Sequence, residues 1–253
     1  MIKTIDIETA IKKTTAIDCS MPSINLSDKY TFLSTKEILN KAIDLGWNIL
    51  DTEQKGKKIT TQHRVSMIHD SVLKKFSKQD HDGYPVLYIT NSHDGTCSLK
   101  YNIAYHNKEN NFNIVSYDAY IQDNIIKRKT TTIKECVDFL DNTKAYISNF
   151  LNCIDTFKNR NLTSQESFHF LSFINNKLMK GKKIKLNSDS NNLWELSVHI
   201  HEQAYNKKIL RGFNSKFVFS QKIWNIMCSC LIFNDNDLID FLNEKEEEYS
   251  YEQ

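Results

Sequence analysis

The spacing of apolar residues along the chain changes period twice. Ile5, Ile7, Ala10 and Ile11 form a short amphipathic pattern, followed by an irregular Met21-Pro22-Ser23 stretch. Ser34-Thr35-Lys36-Glu37 then has the form of a capping box, with Leu33 and Ile38 placed as its hydrophobic staple. Ile38, Leu39, Ala42, Ile43 and Leu45 predict one apolar helix face, and Gly46 a left-handed C-cap. Trp47–Leu50 reads as a strand returning against that helix.

Between Val65 and Tyr120 the period shortens towards two. Val65–Ile68, Pro85–Thr90, Cys97–Tyr105 and Phe112–Tyr120 are predicted strands, with His106–Asn111 as a hairpin loop. From Thr132 the period lengthens again. Thr132-Ile133-Lys134-Glu135 is a second capping box, opening a stripe of Ile133, Val137, Leu140, Ile147, Leu151 and Ile154. Thr163-Ser164-Gln165-Glu166 is a third, ahead of Phe170, Leu171, Ile174 and Leu178. Further helices are predicted at Leu193–Tyr205, Ser220–Phe233 and Asp235–Glu247. The pattern predicts an α+β fold: an antiparallel β-meander with packed helices in the N-terminal half and a helical C-terminal half. Its expected divisions are 1–130, 131–233 and an acidic helix or tail over 234–253.

Composition supports long regular elements, because the 253 residues include only 2 Pro and 6 Gly. A chain of this size buries enough surface to fold without disulfides or metal. Its six cysteines, Cys19, Cys97, Cys136, Cys153, Cys228 and Cys230, contain no CxxC pair, and several fall at apolar positions where free Cys acts as a small hydrophobe. With no signal-peptide pattern and no long apolar run, the expectation is a cytoplasmic protein of a bacterial host without a membrane partner. The net charge of +2 conceals an asymmetry: residues 234–253 hold eight acids and one Lys (−7), leaving +9 on residues 1–233. A basic body with an acidic tail suits a protein that meets polyanions, although such a tail is also simply a solvated helix end.

The hexapeptide Asn91-Ser92-His93-Asp94-Gly95-Thr96 follows the strand Pro85–Thr90. Pro22-Ser23, Ser27-Asp28-Lys29-Tyr30, the Ser34–Gly46-Trp47 helix block and Gln62-His63-Arg64-Val65 precede it. Leu162-Thr163-x-x-Glu166 and Asn191-Asn192-Leu193-Trp194 through Glu202-Gln203 follow it. On these segments the chain resembles the phage- and plasmid-borne family labelled domain of unknown function 932, over roughly residues 20–210. Where members of that family continue with a cysteine-asparagine-glycine turn, this chain reads Phe112–Tyr120. The resemblance implies a role in mobile-element DNA metabolism or in evading host defence.

The chemistry available is narrow. There is no GxxxxGK[ST], GxGxxG or GxSxG, so P-loop ATPases, dehydrogenases and α/β-hydrolases are excluded, and no cofactor is expected. His63, His93 and Asp94 offer an imidazole–carboxylate pair or three ligands if a turn at Gly95 brings them together. The competing reading is a strand-end turn in which Asn91, Ser92 and Asp94 bond the backbone. His199 and His201 lie about 200° apart on a helix and cannot share a metal, so no metal site is expected; one should face the core and the other water.

What remains is basic loops: Lys55, Lys57 and Lys58 ahead of Arg64; Lys127, Arg128 and Lys129; Lys180, Lys182, Lys183 and Lys185; and Lys207, Lys208 and Arg211. Beside strands carrying Tyr88, Tyr101, Tyr105 and Tyr117 they suit a groove for nucleic acid, single-stranded DNA above all, in replication or recombination. Two alternatives stand beside this non-enzymatic reading. One is a protein-binding inhibitor of a host defence system, the other an enzyme using His63, His93 and Asp94. Self-association into a homo-oligomer is open on sequence alone.

Overall fold

In the computed structural model, the described residues are 2–27, 30–77, 81–116, 132–179, 183–185, 192–206, 210 and 213–232. Helix α1 (Ile7–Lys13) starts where the Asp6 carboxylate accepts the Thr9 N–H at 2.7 Å, and a 3₁₀ turn over Thr15–Asp18 buries Ala16 and Ile17. Helix α2 (Thr35–Asp44) is capped by Ser34, whose Oγ accepts the Glu37 N–H at 3.3 Å. Its Ile38, Leu39 and Ala42 are fully buried, while Ile43 falls off that face and is 40% exposed. Gly46, at φ +86°, lets the chain leave α2 directly into strand β1 (Trp47–Gln54).

Strands β1, β2 (His63–His69), β3 (Gly83–Asn91), β4 (Lys100–Asn107) and β5 (Phe112–Val115) form one antiparallel sheet in the order β1-β2-β3-β4-β5. The pairing of β1 with β2 shifts register between Ile49 and Asp51. That irregularity puts Trp47 and Ile49 before it, and Thr52 after it, on the buried side, leaving Asp51 and Glu53 exposed. Thr52 consequently meets Thr14 through their hydroxyls at 2.8 Å. The central strands β2 and β3 are buried at nearly every position, as expected of strands covered on both faces.

The elements differ from the expected ones at several places. A helix, α3 (Asp70–Phe76), fills the connection between β2 and β3; it is capped by the His69 ring and buries Val72 and Phe76. With only two apolar residues on its inner face, α3 leaves almost no periodic trace. Strand β4 begins at Lys100 rather than Cys97, because Cys97 is held in the preceding turn by Ser92. The described part of β5 ends at Val115, and the expected helix at 235–247 lies outside the described residues.

Helix α4 (Ile133–Asn159) spans 27 residues, and the predicted box at its start is reciprocal. The Thr132 N–H donates to Glu135 Oε2 at 2.7 Å and the Glu135 N–H to Thr132 Oγ1 at 3.3 Å. The chain divides into two compact units, Met1–Glu109 with Asp118–Asn149, and Asn110–Tyr117 with Phe150–Gln253. In the second unit α5 (Ser164–Phe173) carries the complete capping box of Thr163 and Glu166 and runs on into a π turn, Ile174–Leu178. Helices α6 (Leu193–Asn206) and α7 (Ser215–Ile232) follow. Trp224 packs between Phe150 and Phe157, with ring centroids 4.8 and 5.0 Å away. The buried Glu166 carboxylate pairs with Arg160 at 2.6 Å.

His201 is the buried polar residue that ties this unit together. Its Nδ1 lies 2.7 Å from the Ser197 carbonyl, which only accepts, so Nδ1 carries the proton. Nε2 faces the Ser220 hydroxyl at 2.9 Å, and that hydroxyl accepts the Val115 N–H at 2.7 Å. One imidazole therefore links α6, α7 and β5. Of the two histidines, His201 faces the core as expected, whereas His199 is half-buried and reaches the Lys185 carbonyl at 2.9 Å rather than facing water alone.

Burial pushes the His201 imidazole down from 6.5 to about 4, against an opposite pull from the Ser197 carbonyl. A depressed histidine stabilises the fold above its unfolded value and loses that contribution as pH falls from 6.5 towards 4. Urea unfolding of the wild type should thus lose about 2–3 kcal/mol more between neutral pH and about pH 4.5 than His201→Gln does.

Candidate functional site

The register of the first unit sets His63, the first residue of β2, opposite Asn91, the last of β3. Thr35, the first residue of α2, lies over them, and its hydroxyl is the centre of a buried polar network. Asn91 Nδ2 donates to Thr35 Oγ1 at 2.9 Å and to the Leu33 carbonyl at 3.1 Å. His63 Nε2 is 2.8 Å from the same hydroxyl and His93 Nε2 is 3.4 Å from it. His63 Nδ1 lies 3.0 Å from the Thr61 carbonyl, which fixes the proton on Nδ1 of the neutral ring. Nε2 is then the acceptor, and the Thr35 proton goes to it. The two imidazoles lie 5.1 Å apart, and Phe32 covers His93 at 4.9 Å.

Thr35, His63 and His93 are each 0% exposed. The arrangement therefore holds chain segments in place, with no atom of the trio open to a solute. Among the described residues no group of three or more His, Cys, Asp or Glu side chains is placed to hold a metal ion. Asp94 is occupied locally: its Oδ1 accepts the Thr96 N–H at 3.0 Å and the Thr96 hydroxyl at 2.6 Å. Burial opposes ionisation of Asp94, but these bonds and the one from Ser92 outweigh it and hold the carboxyl below its ordinary value.

The rest of the hexapeptide acts as a clasp. Ser92 Oγ donates to the Cys97 carbonyl at 3.0 Å and accepts the Cys97 N–H at 2.9 Å. Gly95, at φ +79°, supplies the left-handed residue that closes the turn. The Tyr30 hydroxyl donates to the Ser92 carbonyl at 3.0 Å, and the Ser23 N–H to the His93 carbonyl at 2.8 Å. The His93 N–H in turn donates to the Thr60 carbonyl at 2.7 Å. Six residues thereby anchor the 21–27 segment, the start of α2 and the β1–β2 loop to the end of β3.

That β1–β2 loop is itself tightly braced. The Lys55 N–H donates to the Gln62 carbonyl at 2.8 Å, and Thr61 Oγ1 to the Lys55 carbonyl at 2.6 Å. The Thr61 N–H donates to the Lys58 carbonyl at 3.2 Å, and Gln54 Nε2 to the Gly56 carbonyl at 2.9 Å. From this frame Lys55, Lys57 and Lys58 project into solvent, and none is in an ion pair among the described residues.

The other basic candidates are placed differently. Arg64 is 4% exposed: Nη1 binds Glu53 at 2.5 Å and Nε binds Thr90 Oγ1 at 3.2 Å, with the guanidinium over Tyr88 at 5.9 Å. It serves the sheet, because residue 64 alternates with His63 onto the opposite face of a strand covered on both sides. Lys183 is exposed, whereas Lys127, Arg128, Lys129, Lys182, Lys207, Lys208 and Arg211 lie outside the described residues. Tyr101 and Tyr105 are core residues, 1% and 3% exposed, and present no stacking face; Tyr88 is half-buried and Tyr117 lies outside the described residues.

Thr35 was legible only as part of a capping box; nothing in its spacing points to His63 and His93, 28 and 58 residues away. Thr60 and Thr61 carry no sequence signal, since both meet the histidines through backbone carbonyls. Thr35→Val keeps the shape of the side chain and removes the hydroxyl that three buried groups share. Denaturant unfolding should show a loss of about 2–3 kcal/mol, and Thr35→Ser should retain most of the stability.

No family model, no curated protein and no solved structure matches this chain.

Proposed function

We propose that this chain is a non-enzymatic mobile-element protein that binds nucleic acid, single-stranded DNA in particular, in replication or recombination. The observation that carries this reading is the lysine loop. Two other exposed lysines of the first unit, Lys13 and Lys36, are matched with carboxylates, those of Asp51 and Asp18. Lys55, Lys57 and Lys58 instead stand together, unmatched, on a loop whose backbone is braced at both ends. Three like charges so close repel one another, and an arriving polyanion relieves that repulsion while releasing its own counterions. A braced loop also loses little conformational freedom on binding.

The +9 excess of residues 1–233 favours encounter with such a ligand. The resemblance to phage- and plasmid-borne proteins supplies the biological setting. The burial of Thr35, His63 and His93 supports a scaffold role for them, with His63 Nδ1 on the Thr61 carbonyl and the His93 backbone N–H on the Thr60 carbonyl of the loop.

Anisotropy of a labelled single-stranded oligonucleotide should report affinity that falls steeply with salt. Replacing Lys55, Lys57 and Lys58 by Ala should weaken binding about tenfold or more at low salt. It should also reduce the magnitude of the slope of log K against log salt by about 2, at about 0.7 for each phosphate that a lysine no longer neutralises. Wild-type binding that is absent, or indifferent to salt, contradicts the reading.

A further inference from the structure

Three large apolar side chains stand in solvent around the clasp: Ile24 is 96% exposed, Met21 67% and Ile59 55%. They come from two separate segments, both fastened to the same residue. The Ser23 N–H bonds the His93 carbonyl and the Thr60 carbonyl accepts the His93 N–H, so Ile24 and Ile59 each lie one residue from a backbone bond to His93. Two such bonds and two chain steps put their Cα atoms no more than about 20 Å apart. Leu26 of the same segment packs towards Gly95, where an added Cβ would come within 2.8 Å of its Cδ2. Ile59 directly follows Lys57-Lys58, so one apolar and three cationic side chains share one braced loop.

From this juxtaposition we propose that Met21, Ile24 and Ile59 form the base-contacting subsite of a single-stranded nucleic acid whose phosphates are held by Lys55, Lys57 and Lys58. This rests on the nucleic-acid reading above and adds to it where the bases go. An unpaired strand is the ligand that matches both halves of the surface. Its phosphates complement the three unmatched lysines, and its base faces are flat, apolar and uncovered, so burying them against aliphatic side chains is favourable. A duplex offers the same phosphates but keeps its base faces stacked inside, leaving Ile24 and Ile59 in water. The lysines thus supply strength, and the apolar residues supply the distinction between one strand and two.

The test uses the full chain with a poly-thymidine oligonucleotide and a duplex of equal length, across a range of salt. Ile24→Ser with Ile59→Ser should lower single-strand affinity about tenfold, leave duplex affinity unchanged, and keep the salt slope of the wild type. Ile24→Trp, which adds a stacking face at an exposed position, should raise single-strand affinity instead.

Wild-type protein that binds no oligonucleotide overturns both this subsite and the nucleic-acid reading. Lysine-dependent binding that ignores the Ile24 and Ile59 substitutions overturns the subsite alone. So does an equal loss of single-strand and duplex affinity. A concentration-dependent dimer that these substitutions dissolve, with oligonucleotide affinity unchanged, assigns the patch to a second copy of the chain and likewise overturns the subsite.

Discussion

The hydroxyl of Thr35 is a single donor and acceptor on which four segments of the first unit converge. It sits at the first turn of α2, accepts from Asn91 at the end of β3, and faces His63 at the start of β2 and His93 in the following turn. Burial makes the arrangement decisive: away from water, a polar atom that loses its partner costs far more than the net worth of the bond. Each group in the network can be satisfied only if the others are in place. The position of α2 on the sheet, the register of β2 with β3, and the path of the 91–96 turn are therefore one decision. The apolar contacts of Ile38, Leu39 and Val65 supply most of the driving force, but they are indifferent to small slips of register in a way that this hydroxyl is not.

The second unit solves its own problem by the same chemistry. His63 and His201 are both fully buried, both give the Nδ1 proton to a backbone carbonyl, and both turn Nε2 towards a hydroxyl, of Thr35 and Ser220 respectively. In each case a neutral ring acts as a rigid spacer with a donor at one end and an acceptor at the other. Imidazole is the only side chain that offers that pair of roles across a flat, partly apolar body. Both histidines thus hold chain segments together, and Asp94 accepts the Thr96 N–H and hydroxyl. Charge follows a similar division. Arg64 is spent inside the sheet on Glu53 and Thr90, whereas the neighbouring loop keeps Lys55, Lys57 and Lys58 outside it.

Much of the fold was legible from local rules. The capping signals at Ser34, Thr132 and Thr163 each mark a helix start, and Gly46 takes the left-handed conformation expected of a C-cap. The period-two runs around Val65–Ile68, Pro85–Thr90 and Tyr101–Tyr105 lie within β2, β3 and β4. Helix α3 is silent in the sequence because seven residues with two buried apolar positions are too short for a period to emerge. Of the candidate site, the strand-end turn at 91–96 was readable from its Asn, Ser, Asp and Gly residues, each with its own reason to be in a turn. Its partners were not, since Ser23, Tyr30, Leu33, Thr35 and Thr60 lie between 33 and 70 residues earlier in the chain and three of them act through backbone atoms.

The sequence by itself determined the elements, because capping, periodicity and turn chemistry operate over a few residues and are written in consecutive letters. It also determined that charge is concentrated in loops, since lysine runs interrupt the apolar periods there. Only the tertiary structure decided what each polar residue is for. Arg64 and Lys58 look alike as letters. One lies on a strand that neighbouring strands and packed layers enclose, so its charge must be paired; the other lies on a loop that the His93 turn holds out in solvent, so its charge is left to water. That difference comes from burial and long-range hydrogen bonding, which couple residues far apart in the chain and leave no local trace.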